Sequence, residues 1–417
     1  MYDRRVFLGG AAVAVAGGAS AAKASADATN FAERYDVDRS IVNLDAAYYG
    51  AMTRTTAAAY RAHGEWVNRH NALFLRSALP GMARDERLQS ATNAVATLIG
   101  AREGEVALCG GGTEALYGLI VNYRRLSAED AVLVADVDYD EMQHAMAYRA
   151  ASRGVRLVRM NVPEPATTAN ILSSYDTALK RNPAVKLVLL THVSNRNGLV
   201  MPVREIADMA RRHGADVILD SAQAVGLLPV AVDALGVDFM GFSLHKWVAA
   251  PLGTGGIYIR TSRLADISPW LGNHIRPDDD IRARMPTGTV DFAARLTVPH
   301  AIEEHRAHGP ERKLAHLTRM RARWEEALRD VSGVTIMHPD DPDRVAVIGA
   351  FRLPGQRSWA DAQRAQKVLL DKHRVLVVAK QGLASGPVLR VTPALFNTNG
   401  EIDRMIAAVR AERTLFT

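Results

Sequence analysis

Asp238-Phe239-Met240-Gly241-Phe242-Ser243-Leu244-His245-Lys246 decides the reading of this chain, together with an upstream run, Val217-Ile218-Leu219-Asp220-Ser221-Ala222-Gln223-Ala224-Val225-Gly226. Each reads as a short apolar strand that ends in polar residues. Two neighbouring strands would carry a carboxylate and an amine to the same sheet edge. Chemistry on pyridoxal phosphate (PLP) requires that pair. A lysine holds the cofactor's aldehyde as a Schiff base, and an Asp keeps the pyridine nitrogen protonated so that the ring accepts electrons. Taken singly, Lys246 reads as a surface lysine and Asp220 as a turn residue. Together, with Ser243 and His245 beside the lysine, they read as a cofactor site.

The same logic extends outward. Apolar runs at 106–109, 131–135, 156–160 and 186–191 read as strands, and the spacing of apolar residues predicts helices over 54–70, 84–99 and 115–123. Strands that alternate with helices imply an α/β fold with a mostly parallel sheet covered on both faces. Ligands of such sheets sit outside the carboxyl ends of the strands, where every motif named here falls. After about residue 300 the pattern changes. One long helix over roughly 299–330 leads into a smaller α/β unit whose strands include 345–352 and 375–378 and whose last helix runs over about 399–412, behind the start signal Asn397-Thr398-Asn399. The expected division is an N-terminal arm at 27–48, a large domain at 49–298 and a small C-terminal domain at 299–417.

The 417 residues are 48% hydrophobic and 23% charged, with a net charge of +6 and no dense basic block. That suits a soluble two-domain protein. Arginines interleave with acids in helical stretches, which points to solvated faces and away from nucleic acid. The single cysteine, Cys109, excludes a disulfide within the chain and argues against a cysteine-based metal site; no metal is expected.

The first residues read as an address. Asp3-Arg4-Arg5-Val6-Phe7-Leu8 precedes an apolar Ala/Gly/Val stretch, then Ala22-Lys23-Ala24-Ser25-Ala26 offers small-x-small cleavage points. This is signal-peptide architecture over 1–26, and the paired arginines give it a twin-arginine character. A general secretory signal or a retained anchor are the alternatives. The expected location is periplasmic or exported, through the twin-arginine machinery. That route carries folded proteins, so the cofactor could be loaded first.

Gly110-Gly111-Gly112-Thr113 joins a strand to a helix, which suits an anion: glycines allow close backbone approach, and the helix start directs N–H groups at it. Gly112, Thr113, Ser243 and His245 are therefore candidate phosphate contacts. Thr191-His192-Val193-Ser194-Asn195 ends an apolar strand and places Asn195 either as an amide at the ring hydroxyl, which Gln223 could also reach, or as a turn residue. Tyr139, after the strand at 131–135, is placed either to stack on the ring or to pack as a core or surface tyrosine.

These motifs resemble the class V aminotransferase family of PLP enzymes of fold type I, which includes cysteine desulfurases and isopenicillin N epimerase-like proteins. Thr191 to Asn195, Asp220-x-x-Gln223 and Ser243-x-His245-Lys246 stand in family order and spacing. The resemblance implies Lys246, Asp220 and His245 as the catalytic set, with Thr113, Ser243 and His245 on phosphate. It implies Thr289, in Thr287-Gly288-Thr289, at the phosphate of a neighbouring subunit, hence a homodimer. It implies Arg390 as the clamp on the substrate carboxylate. The stretch 378–387 holds no cysteine, which departs from the desulfurases and disfavours persulfide chemistry.

The expected activity is at Cα of an amino acid or amino-acid-bearing metabolite, epimerase-like or aminotransferase-type. A C–S or β-lyase and an oxygen-using oxidative deaminase use the same residues, since substrate orientation selects among the branches. A non-catalytic ligand-binding protein of the same fold, and a non-PLP α/β protein in which these motifs arise by chance, are the remaining readings.

Overall fold

The computed structural model describes residues 31–417 apart from His338 and Asp340. The signal segment expected at 1–26 lies outside the described residues.

Thirteen strands occur among the described residues: β1 (Val42–Asn43), β2 (Val106–Cys109), β3 (Ala131–Ala135), β4 (Arg156–Met160), β5 (Val185–Thr191), β6 (Asp216–Asp220), β7 (Phe239–Ser243), β8 (Gly255–Ile259), β9 (Thr335–Ile336), β10 (Gly349–Arg352), β11 (Val375–Leu376), β12 (Val378–Lys380) and β13 (Val388–Val391). Seven form one sheet in the order β2-β8-β7-β6-β5-β3-β4. All neighbours run parallel except β8, which is antiparallel to both β2 and β7.

The apolar runs are continuous because both faces are covered. Ala131 and Leu133 enter one core while Val132 and Val134 enter the other, as the two-residue period of a strand demands. Helices Arg84–Ile99, Thr168–Arg181 and Val203–Arg212 bury their apolar stripes in the first core, and Gly112–Asn122 and Asp140–Arg153 in the second. Each fully buried Val, Leu, Ile or Phe of these strands stabilises the sheet by roughly 1.5–3 kcal/mol before entropy is counted.

A third core joins the N-terminal segment to the C-terminal unit, whose antiparallel sheet runs β12-β13-β10-β9. β1 pairs in parallel with β11, and Asp45 bridges to Thr392. The single helix expected over 299–330 is instead two, Phe292–His308 and Pro310–Arg329. Gly309, at φ +74°, and Pro310, in the first turn of the second helix, break it. Only glycine takes that φ without strain, and proline cannot continue the preceding helix. Among the described residues no helix is long and apolar enough to cross a membrane.

Candidate active site

β5, β6 and β7 end side by side. Thr191 pairs with Asp220, and Asp220 with Gly241, so the polar residues after each strand emerge at one edge. They open into a cleft of about 900 Å³. Gly110 to Thr113, Tyr139, Asn195, Asp220, Gln223, Ser243, His245, Lys246 and Arg390 all line it. Thr289 does not: it is exposed on the loop beyond Pro286, outside its own chain's cleft. The expectation that placed it at phosphate concerns a neighbouring subunit, and this single chain does not bring it to the other residues.

Lys246 is packed within the cleft, and its amine makes no hydrogen bond to a described residue. Burial lowers it from 10.5 to about 8; Asp220 opposes that shift, and Arg390 adds to it. Asp220 is buried at the end of β6, and its Oδ1 accepts the Ala222 N–H at 2.9 Å. Burial raises its carboxyl above the usual range, against the pull of that bond and of Lys246. A cation brought against Asp220 would restore its charge.

His245 is anchored by the Thr254 carbonyl, 2.8 Å from Nδ1. A carbonyl only accepts, so Nδ1 carries the proton and Nε2 is left bare in the neutral ring. Burial holds that ring neutral by lowering its basicity. Beneath the cleft, Asp138 ties β3 to β5: its carboxylate accepts the N–H groups of Ala135 at 2.7 Å and Thr191 at 3.1 Å. Burial raises its carboxyl to about 7 despite these bonds.

The glycine loop meets the lysine loop face to face. Gly112 N–H donates to Ser243 Oγ at 3.1 Å. A Cβ on Gly111, at φ +152°, would stand 2.8 Å from His245 Cε1, so only glycine leaves this cradle open. Helix Gly112–Asn122 begins here with first-turn N–H groups that lack intrahelical acceptors. Thr113 stands exposed on that turn.

Gln223 is more committed than the sequence implied. Its Nε2 donates to Ala47 O at 2.8 Å, and its Oε1 accepts Trp247 Nε1 at 3.0 Å. That locks the residue after Lys246 and leaves one amide hydrogen for a ligand. Tyr139, half-buried, packs against the second core while lining the cleft. Asn195 lines the cleft, and its backbone oxygen accepts Arg390 Nη1 at 2.8 Å.

Arg390 is almost wholly buried and forms an ion pair with Asp45. Sequence reasoning missed Tyr48, Tyr49 and Trp270, which line the cleft, Asp45, which pairs with Arg390, and the Thr254 carbonyl, which anchors His245. Asp45 stood in the N-terminal arm, but nothing local marked it as the partner of a residue 345 positions on. Cys109 is buried, donates to Gly111 O at 3.3 Å and is pushed up to about 12 by burial, which makes it packing and not a nucleophile.

The residues fit a phosphorylated pyridine aldehyde. A glycine cradle at a helix start suits the phosphate, a buried carboxylate suits a ring cation, and an amine without a partner suits the aldehyde. The family comparison agrees. The chain belongs to the aminotransferase class-V family, whose model matches residues 47–405. It is 28% identical to isopenicillin N epimerase of Streptomyces clavuligerus over 396 residues, covering 90% of this chain and 96% of that one. A probable cysteine desulfurase of Xylella fastidiosa is 28% identical, with 86% and 88% covered. Among solved structures, the fold matches a cysteine desulfurase of Escherichia coli with a TM-score of 0.78 at 20% identity, covering 94% of this chain and 99% of that one. It also matches a C-DES mutant with glycine covalently linked to the PLP cofactor, with a TM-score of 0.77 at 19% identity, covering 89% and 96%. The fold is that of the type I PLP enzymes, and the cofactor is PLP.

Proposed function

We propose that the protein acts at Cα of an amino acid or amino-acid-bearing metabolite, as an epimerase-like or aminotransferase-type enzyme. The observation that carries this is the convergence of Lys246, Asp220 and Arg390 on one cleft. Bound PLP supplies an electron sink that makes a Cα proton removable.

The chain's own residues do the rest. The helix start at Gly112 and Thr113, with Ser243, holds the phosphate. His245 orders the lysine loop through its Nδ1–H bond to the Thr254 carbonyl, and its bare Nε2 has no proton to give the phosphate, which corrects its expected role as a phosphate donor. Asp220 keeps a proton on the pyridine nitrogen by presenting a buried carboxylate to it. Asn195 and the free amide hydrogen of Gln223 would serve the ring hydroxyl, and Tyr139, which lines the same cleft, would stack on the ring. Arg390 orients the substrate carboxylate. Lys246 Nζ, with its basicity lowered by burial, takes a proton from Cα near neutral pH and returns it.

The absence of a cysteine in 378–387 and the burial of Cys109 favour this over desulfuration. The surface position of Thr287 to Thr289 supports a homodimer in which that loop reaches the partner's phosphate. Arg4 and Arg5 before Phe7-Leu8 support export by the twin-arginine route.

The test is a visible spectrum of the purified mature protein with L- and D-amino acids, run in deuterium oxide. A substrate-dependent change in the cofactor band with deuterium at Cα of recovered amino acid supports the proposal. A keto acid that keeps the substrate's side chain, formed without free ammonia, would select transamination, and cofactor binding with neither outcome across the panel would refute the proposal.

A further inference from the structure

Two cations face the substrate side of the cleft. Lys380 closes β12 and Arg390 lies in β13, and both line the cavity. The antiparallel register pairs Val378 with Arg390 and Lys380 with Val388. Lys380 and Arg390 therefore stand on one face of the small sheet as diagonal neighbours, a spacing that long side chains bridge.

They differ in what they already hold. Arg390 donates to the Asp45 carboxylate and to the Asn195 carbonyl. Asp45 cannot easily leave it: its own N–H is bound to Asn43 Oδ1 at 3.0 Å, and the residue bridges to Thr392, two positions from Arg390. The next anion, Asp140, is taken by the buried guanidinium of Arg196 at 2.6 Å. Lys380 makes no side-chain hydrogen bond or ion pair among the described residues. Each carboxylate at this end is matched to an arginine, and the ammonium of Lys380 is the charge left over.

An entering carboxylate meets Arg390 with Asp45 already against it, so attraction and repulsion nearly cancel. The uncompensated field comes from Lys380, and low dielectric in a half-closed cleft strengthens it. We propose that Lys380 is the counter-ion of the substrate carboxylate, with Arg390 and Asp45 forming a neutral frame that orients it. The substrate class is then amino acids that keep a free carboxylate, and amidated or esterified analogues are rejected. This rests on the reading of the cleft as an amino-acid site.

The groups facing Lys380 are Arg390 and Asp45 across the small sheet, and Asp140 and Arg196 from the large domain. Burial first, then Arg390, lowers the lysine from 10.5 to about 8. Lys380 should thus lose its charge, and the cleft its pull on carboxylates, as the pH rises past that value.

The probes are pentanoate and its neutral isostere pentanamide, titrated calorimetrically into the PLP-loaded protein. Near pH 7 the wild type should prefer pentanoate, Lys380→Met should weaken it about tenfold, and Lys380→Arg should restore it. Asp45→Asn should tighten it by freeing Arg390. From about pH 7 to about pH 9.5 the wild type should lose affinity while Lys380→Arg keeps it. The cofactor band of each variant reports that the fold and the PLP site are intact. Pentanoate binding in Lys380→Met within about threefold of wild type, equal binding of pentanamide, or no binding by the wild type overturns the inference. A protein that takes up no PLP yet shows lysine-dependent pentanoate binding sinks the enzymatic reading and leaves this one standing.

Discussion

Replacing Lys313 with methionine should stabilise the protein near neutral pH and lose that advantage in alkali. Lys313 lies on helix Pro310–Arg329, fully buried, and its amine donates to the carbonyl of Trp247, the residue after Lys246. No carboxylate pairs with it among the described residues; burial alone lowers it from 10.5 to about 7. At about 1.4 kcal/mol per pH unit, deprotonating it for burial costs roughly 4–5 kcal/mol near pH 7. The hydrogen bond to Trp247 O returns about 1 kcal/mol, and leaving that carbonyl bare costs about 1–2 kcal/mol more. Methionine has a similar shape and no charge, so the net gain is about 2 kcal/mol.

Proton counting gives the sign with pH. Between about pH 7 and about pH 10 the unfolded chain holds a proton on Lys313 that the folded chain has lost, so wild-type stability rises with pH. The Lys313→Met variant has no such term, and its advantage should shrink and then reverse as the lysine keeps its hydrogen bond at no charge cost. Thermal unfolding of the PLP-loaded protein at the two ends of that range is the assay, with a Tm difference of a few degrees expected near pH 7. A variant less stable at neutral pH, or a Tm difference constant with pH, would mean that Lys313 is charged in the fold and would refute the reasoning.

Lys246→Ala should abolish the lysine-linked cofactor absorption and slow turnover by at least about 10²–10⁴-fold, checked by spectrum and steady-state rates. Gly111→Ala sets a Cβ 2.8 Å from His245 Cε1, so PLP affinity should fall about tenfold in a titration followed by absorbance. Gly198→Ala would place its Cβ 1.9 Å from Ile348 O at φ +76°, which should cost at least about 3 kcal/mol in urea unfolding; a near-neutral outcome would mean that the loop shifts freely.

The large sheet was legible because its strands carry local signals. The apolar runs at 131–135 and 156–160 coincide with β3 and β4, and the helix expected at 84–99 is Arg84–Ile99. Lys246, Asp220 and the glycine loop were legible for the same reason: each stands at or just past the end of a strand, and the C-terminal ends of the strands of a parallel sheet gather at one edge. The reversed β8 was not, since Gly-Gly-Ile-Tyr-Ile carries no direction. The break at Gly309-Pro310 is written in the sequence, but strong helical periodicity on both sides masks it. The Asp45–Arg390 pair and the double commitment of Gln223 depend on contacts between distant segments, and no local pattern encodes those.

The stitching of Val42 to Gly50 has a consequence for the order of assembly. β1 seats on β11, Thr392 N–H binds Leu44 O at 2.8 Å, Ala47 O holds Gln223, and Gly50 N–H reaches His245 O at 2.8 Å. One short segment near the start thus waits for strands made more than three hundred residues later. During synthesis the large sheet can form with its lysine loop already held by Gln223 and Thr254, while the segment bearing Tyr48 and Tyr49 still lacks the strands it seats on. Contacts of such sequence separation are slow to close, because chain entropy opposes them until both ends are built. The side of the cofactor cleft lined by Tyr48 and Tyr49 thus depends for its anchoring on the last strands of the chain.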